Sequence, residues 1–232
     1  MGNDASLMPF ISSANIACGY HAGGKSTMEH TVALCLEHHV AIGAHPSFPD
    51  WENFGRTEMD MSPDMAAYHV LLQLDFISHI CWKRSAALHH VKLHGALYNM
   101  AARQPELATA IAKAIFKFDA QLILYGLAGS HLISEGEKAG LRTASEAFAD
   151  RSYQPNGALT PRSMPGALLN SEDAIKQVLQ MIQHKKVTSS SGALIDINAE
   201  TICIHGDGEH ALEIASQLYK SLTTNGITIK SI

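Results

Sequence analysis

The stretch Val40-Ala41-Ile42-Gly43-Ala44-His45-Pro46-Ser47 runs through five apolar or small residues and stops abruptly at a histidine and a proline. A short apolar run ended by turn-forming residues is the pattern of a strand buried on both faces, as strands of a parallel sheet are. The pattern recurs on both sides of it. Strands are expected at 13–18, 40–44, 88–93, 121–127, 141–147 and 201–205. Longer stretches of helical period separate them. Ser62-Pro63-Asp64 reads as a cap, a proline at the first helical position and an acid in the first turn, opening a helix to about residue 84. Pro105-Glu106 opens another to about 118, and Ser171-Glu172-Asp173 one to about 184. Asp207 is expected to cap a last helix ending near Asn225-Gly226. Short strands alternating with helices predict an α/β protein built from repeated βα units.

The chain has 232 residues, 46% of them hydrophobic and 17% charged, with 17 basic against 22 acidic residues and a net charge of −5. That composition supports one large core and excludes a disordered chain. The acidic balance argues against a nucleic-acid partner, and no apolar run has the roughly 20 residues that cross a bilayer. The opening Met1-Gly2-Asn3-Asp4 has neither the basic nor the apolar region of a secretion signal, so a cytoplasmic protein is expected. Cys18, Cys35, Cys81 and Cys203 lie far apart in apolar surroundings and read as reduced core residues. Residues 150–170, with Pro155, Pro161 and Pro165, form the longest irregular stretch, and 186–198 reads as a surface hairpin. Neither has linker composition, so residues 1–232 read as a single domain.

Fourteen histidines are the outlying number. His38, His39 and His184 fall at expected helix ends. The remainder matter because βα folds carry their chemistry where strands run into the following loops. The first strand runs into Gly19-Tyr20-His21, the second into His45-Pro46, and the third carries Lys92 and ends in His94-Gly95. The fifth contains Glu146 and leads to Asp150-Arg151, and the last ends in His205-Gly206-Asp207. A single histidine in such a loop is more often a cap or a wall residue than a ligand. Five polar strand ends of six favour a site, with neutral imidazoles suited to a divalent metal or to acid–base work and a lysine suited to an oxyanion or phosphate. Gly19-Tyr20-His21-Ala22-Gly23-Gly24-Lys25-Ser26 also matches the phosphate-loop pattern letter for letter. Against that reading, no convincing second strand ends in an acid for magnesium, and the other histidines would go unexplained.

The segments Ser12-Ser13-Ala14-Asn15-Ile16-Ala17-Cys18-Gly19-Tyr20-His21-Ala22-Gly23, Val40 to Asp50, Asn53-Phe54-Gly55-Arg56, His90 to Asn99, Gly126 to Ser130, Glu146 to Arg151 and Ile204-His205-Gly206-Asp207 resemble, in order, the motifs of the LamB/YcsF family. The resemblance implies a (β/α) barrel of about seven strands, related to the glycoside hydrolase/deacetylase barrels. It further implies one component of a 5-oxoprolinase, which works with two other subunits to open the lactam of 5-oxoproline to L-glutamate, with ATP as co-substrate. Under that resemblance His45, His94, Lys92 and Asp150 are the catalytic candidates, and His45 and His94 the candidate metal ligands. His21, Asn15, Arg151, His205 and Asp207 would bind the small-molecule substrate. The alternatives are a stand-alone metal-dependent deacetylase-type hydrolase and a non-catalytic barrel scaffold; association into a homo-oligomer stays open. Two departures stand out. The family's opening strand, of the D-L-N-A-D-L-G-E type, precedes the point where this chain starts, so the acid that joins two histidines at the metal of related deacetylases has no counterpart. Gly24 stands where the family usually has Asp, and that change creates the phosphate-loop match.

Overall fold

A computed structural model describes residues 4–232. In chain order the elements are α1 (Asp4–Leu7), β1 (Ser13–Ala17), α2 (Lys25–Glu37), β2 (Ala41–His45), α3 (Pro63–Trp82), β3 (His90–Lys92), α4 (Gly95–Arg103), α5 (Pro105–Phe118), β4 (Ile123–Leu127), α6 (His131–Lys138), β5 (Arg142–Phe148), α7 (Ser171–His184), β6 (Lys186–Thr188), β7 (Leu194–Asp196), β8 (Thr201–Cys203) and α8 (Ala211–Thr224). The large sheet has the order β1-β2-β3-β4-β5-β8, which is sequential apart from the β6–β7 hairpin. Its registered pairs are parallel. Sequential parallel strands joined by helices are the arrangement of the (β/α) barrel class.

The chain divides into two compact units, Ser12–Ala144 and Ser145–Lys230, the latter taking in the N-terminal residues to Ile11. The first holds β1 to β4. Its strands are short and apolar: Ile123 to Leu127 are buried throughout, as a strand covered on both faces must be. Helices cover it in the way the sequence dictates. Ser62 caps α3 by accepting a hydrogen bond from the Met65 N–H, and Pro63 fills the first helical position. Buried Ala66, Val70, Leu74, Ile77 and Cys81 mark the helix's inner stripe.

Register fixes one glycine. Gly43 on β2 lies beside His90 on β3, and a Cβ there would sit 2.0 Å from His90 Nε2. Only a residue without a side chain lets the ring occupy that space. His90 is fully buried, stacks on Tyr125 at 4.1 Å, and bonds Asn15 Oδ1 at 3.0 Å. Burial, then the charges of His89 and Lys92, lower its pKa to about 3.

In the second unit β5 pairs with β8, Glu146 to Phe148 against Thr201 to Cys203. Ala149, Val178, Leu218 and Leu222 form a core cluster there. The helix expected from Asp207 begins later, at Ala211, with His210 in the cap position. A turn closed by the Gly208 N–H on the His205 carbonyl takes up the intervening residues, so the cap role does not fall to Asp207. The helix end falls as expected. Gly226, at φ +72°, donates to Thr223 O and Ile227 to Leu222 O, the paired bonds of a Schellman stop. The expected hairpin is β6–β7. α7 starts at Ser171, but its cap is Asn170, whose Oδ1 accepts from the Asp173 N–H. α4 and α6 follow strand ends so closely that their short periods do not register in the sequence.

Candidate functional site

In the first unit the loops after β1, β2 and β3 bring three histidines together. One nitrogen from each of His21, His45 and His94 lies within 4.8 Å of the others. His45 is the last residue of β2, and His94 stands just beyond β3, after Leu93, in the cap position of α4. His21 reaches them from the glycine-rich loop, where positive φ at Gly19 and Gly23 turns the chain back on itself. The candidate phosphate loop therefore spends its central residue on this cluster: His21 is 2% exposed.

Each ring is fixed by a partner outside the cluster. His45 Nδ1 donates to the Lys92 carbonyl at 2.7 Å, and His94 Nε2 to the Phe54 carbonyl at 2.8 Å. His21 Nδ1 meets Ser47 Oγ at 2.8 Å, and that hydroxyl gives its own proton to the Phe48 carbonyl at 2.9 Å, so His21 is the donor. The remaining nitrogens of His45 (Nε2) and His94 (Nδ1) face each other at 3.0 Å. His21 and His94 stack at 3.8 Å. Burial keeps the His21 and His45 rings neutral. Burial lowers the pKa of His21 to about 3, assisted by the charges of His94 and Arg56. Burial also holds His45 well below its usual value, with His94 and Lys92 adding to the effect.

Two supports were not singled out as site residues from the sequence. Gln73, buried on α3, clamps Ser47: its Oε1 accepts from the Ser47 N–H at 3.0 Å and its Nε2 donates to the Ser47 carbonyl at 2.8 Å. The signal for it was a polar residue on an apolar helix stripe. Gly55, at φ +68°, lies against the cluster; a Cβ there would be 2.9 Å from both His21 Cβ and His94 Cδ2. Lys92 is 4% exposed, with its ammonium 5.8 Å from the centre of the Tyr98 ring. Asn15 is engaged with His90.

The second unit holds a separate pair. His205 Nδ1 lies 3.0 and 2.9 Å from the two oxygens of Asp150. Burial pushes the Asp150 carboxyl up, but the hydrogen bond and charge of His205 and two backbone donors outweigh it, and the net pKa is lowered. A carboxylate holding Nδ1–H leaves Nε2 as the basic nitrogen. Arg151 spends Nε on the Ala167 carbonyl and Nη2 on the Thr160 carbonyl, tying down the irregular 150–170 stretch. Asp207 is exposed. Glu146, at 1% exposure on β5, is a buried carboxyl in the same unit. The four cysteines form no disulfide and are buried, and burial pushes the Cys18 thiol up to about 12 and the Cys81 thiol to about 11.

Sequential parallel βα units place this chain in the (β/α) barrel class, here with imidazoles clustered at strand ends. The chain belongs to the LamB/YcsF family, whose profile matches residues 1–232. It is 53% identical to the 5-oxoprolinase A-subunit of Shouchella clausii over the whole chain and 92% of that protein. It is 50% identical to the corresponding 5-oxoprolinase A-subunit of Tolumonas auensis, covering 93% of it. The crystal structure of a lactam utilization protein from Thermus thermophilus matches all of the chain and 93% of its own, with a TM-score of 0.94 and 41% identity.

Proposed function

We propose that the chain is the A-subunit of a 5-oxoprolinase that hydrolyses the lactam of 5-oxo-L-proline to L-glutamate with ATP as co-substrate. What carries this reading is the match, over the full chain and at about half identity, to relatives bearing that name. The chemistry asks for groups of the kinds present. A lactam is a resonance-stabilised amide, and transferring the terminal phosphoryl group of ATP to its carbonyl oxygen makes the carbon electrophilic. A general base then takes a proton as water's oxygen bonds that carbon. The C–N bond breaks, the ring nitrogen takes a proton, and a second water releases phosphate, leaving glutamate, ADP and phosphate. His205 Nε2, with Asp150 fixing its tautomer, is the base in this scheme. The partners are two other subunits.

The histidine cluster further supports a divalent metal on His21, His45 and His94. His45 Nε2 and His94 Nδ1 lie 3.0 Å apart with the other nitrogen of each ring already bonded outward, so a proton or a metal ion has to lie between them. Nitrogens sharing one tetrahedral ion stand roughly 3.4 Å apart, and each ring's other nitrogen already carries the outer hydrogen bond that orients metal-bound histidines. His21 thus supplies the third ligand beside the two expected from the sequence. Occupancy would open the His21–His94 stack, because parallel rings cannot aim lone pairs at one point. Three imidazoles select a zinc-like ion over magnesium or calcium; bound there, it would supply Lewis acidity.

The same cluster favours a second reading, a stand-alone metal-dependent hydrolase. One experiment separates them: ADP and glutamate are followed with 5-oxoproline, ATP and both partner subunits, for the native chain and for His94→Ala and Asp150→Asn. The proposal expects turnover only with ATP and partners present, and its loss in both variants with the fold retained. Amide hydrolysis without ATP would transfer the case to the second reading, and metal analysis of the same samples reports the ion independently of activity.

A further inference from the structure

The turn after β2 is held in an unfavourable conformation. Asp50, 8% exposed, accepts from Asn53 Nδ2 at 2.8 Å and from the Thr57 N–H at 3.0 Å, and its carbonyl takes the Gly55 N–H at 2.7 Å. The Gly55 carbonyl accepts from the Ala96 N–H at 2.9 Å, which ties the turn to the start of α4. These bonds hold Phe54 at φ +56° and Gly55 at φ +68°. Among the described residues the other non-glycines at positive φ are His39, Ser85 and Lys185, each just behind a helix end, where a left-handed residue is common. Phe54 follows no helix. A left-handed bulky residue persists only where its surroundings impose it, and such residues cluster at sites of function.

That turn delivers a ring and a cation to the histidines. The Phe54 ring stands at right angles to both His21 and His94, with centroids 5.3 and 5.2 Å away, and the Arg56 guanidinium carbon lies 4.9 Å from the centre of the same ring. At that distance the ring orients the cation. The charge also reaches His21, whose pKa it helps to lower. We propose that Arg56 binds the carboxylate of 5-oxoproline beside the histidine cluster and so selects a carboxylated lactam; this rests on the 5-oxoprolinase reading. A guanidinium over a ring engages it with its face and keeps five N–H donors in its plane, enough for a ligand carboxylate alongside a protein acceptor. Its fork matches the two oxygens of a carboxylate. In 5-oxoproline the carbon bearing the carboxylate joins the lactam carbonyl carbon through the ring nitrogen alone, so a residue that holds the carboxylate also positions the reacting carbonyl. The two cations favoured by the sequence are less suited. Lys92 is 4% exposed, and Arg151 holds the Ala167 and Thr160 carbonyls, whereas Arg56 is exposed.

The test uses the complex with both partner subunits and compares the native chain with Arg56→Gln and Arg56→Lys. The second ligand is 2-pyrrolidinone, the same lactam without its carboxylate, measured as a competitive inhibitor. In Arg56→Gln the KM for 5-oxoproline should rise by roughly 10–100-fold, as expected for a lost charged hydrogen bond. The inhibition constant of 2-pyrrolidinone, the KM for ATP and the melting temperature should stay unchanged. Arg56→Lys should fall between, keeping the charge without the fork. An unchanged KM for 5-oxoproline in Arg56→Gln overturns the assignment while leaving the 5-oxoprolinase reading intact. So does a parallel loss of 2-pyrrolidinone binding, which would show a distorted turn, or a rise confined to the KM for ATP, which would show a phosphate contact. Loss of the complex on sedimentation overturns it too, giving Arg56 to a subunit contact. A native complex that does not turn over 5-oxoproline removes the 5-oxoprolinase reading itself, and this assignment with it.

Discussion

His90 makes acid lability a quantitative consequence of the core. Its ring is fully buried, stacked on Tyr125, with Nε2 donating to Asn15 and Nδ1 accepting from His89. It therefore stays neutral in the folded chain, with its pKa lowered to about 3 from the ordinary 6.5. In the unfolded chain it protonates near 6.5. A depressed native pKa means that the unfolded state binds the extra proton, so stability is whole above about pH 6.5 and falls as pH drops toward about 3. Between about pH 6.5 and about pH 4.5 this one ring removes about 2 kcal/mol, a large share of a typical 5–15 kcal/mol total. His90→Asn isolates the effect. At neutral pH it costs about 2–3 kcal/mol in lost stacking and hydrogen bonding, but it carries no such proton. Urea denaturation across this range should show the gap between native and variant shrinking by about 2 kcal/mol on acidification. A gap constant to about 0.5 kcal/mol would refute a neutral, buried His90. Asp150 does not confound the window: its pKa is lowered, so its contribution is lost only below the ordinary carboxyl range.

Other outcomes follow from the same geometry. Gly55→Ala puts a Cβ 2.9 Å from His21 and His94 at φ +68°; it should cost about 1–3 kcal/mol in thermal stability and weaken binding of the proposed ion more than Gly157→Ala, where the space is open. Gln73→Leu strands the buried N–H and carbonyl of Ser47. It should destabilise by about 2–4 kcal/mol in chemical denaturation and loosen His21. With His205 as the proposed base, Asp150→Asn should lower the turnover number by roughly 10²–10⁴ with little change in KM, because it would disturb the His205 tautomer rather than substrate contacts. If KM changes instead, Asp150 binds substrate.

The strands were readable because period and composition act locally. Six apolar runs became the six strands of the large sheet, with ends shifted by at most two residues. Helices with explicit start signals, at Pro63 and Pro105, fell where expected. The helix assigned to Asp207 began at Ala211, because a capping residue declares its capacity and not the turn that intervenes. At the site, His45 and His94 were evident as strand-end residues. Ser47, Gln73 and Gly55 were not, since a serine, a glutamine and a glycine gain meaning only from what stands across from them.

The amino-acid order alone determined that short buried strands alternate with helices, that imidazoles terminate several of them, and that the cysteines fall in apolar surroundings. These are properties of neighbouring residues and their spacing. The folded chain alone decided that His21 joins His45 and His94, that Arg151 is spent on carbonyls of its own loop, and that Asp150 holds His205. Such partnerships span up to 73 positions and depend on strand register and loop path, which the whole packed structure sets and no local pattern encodes.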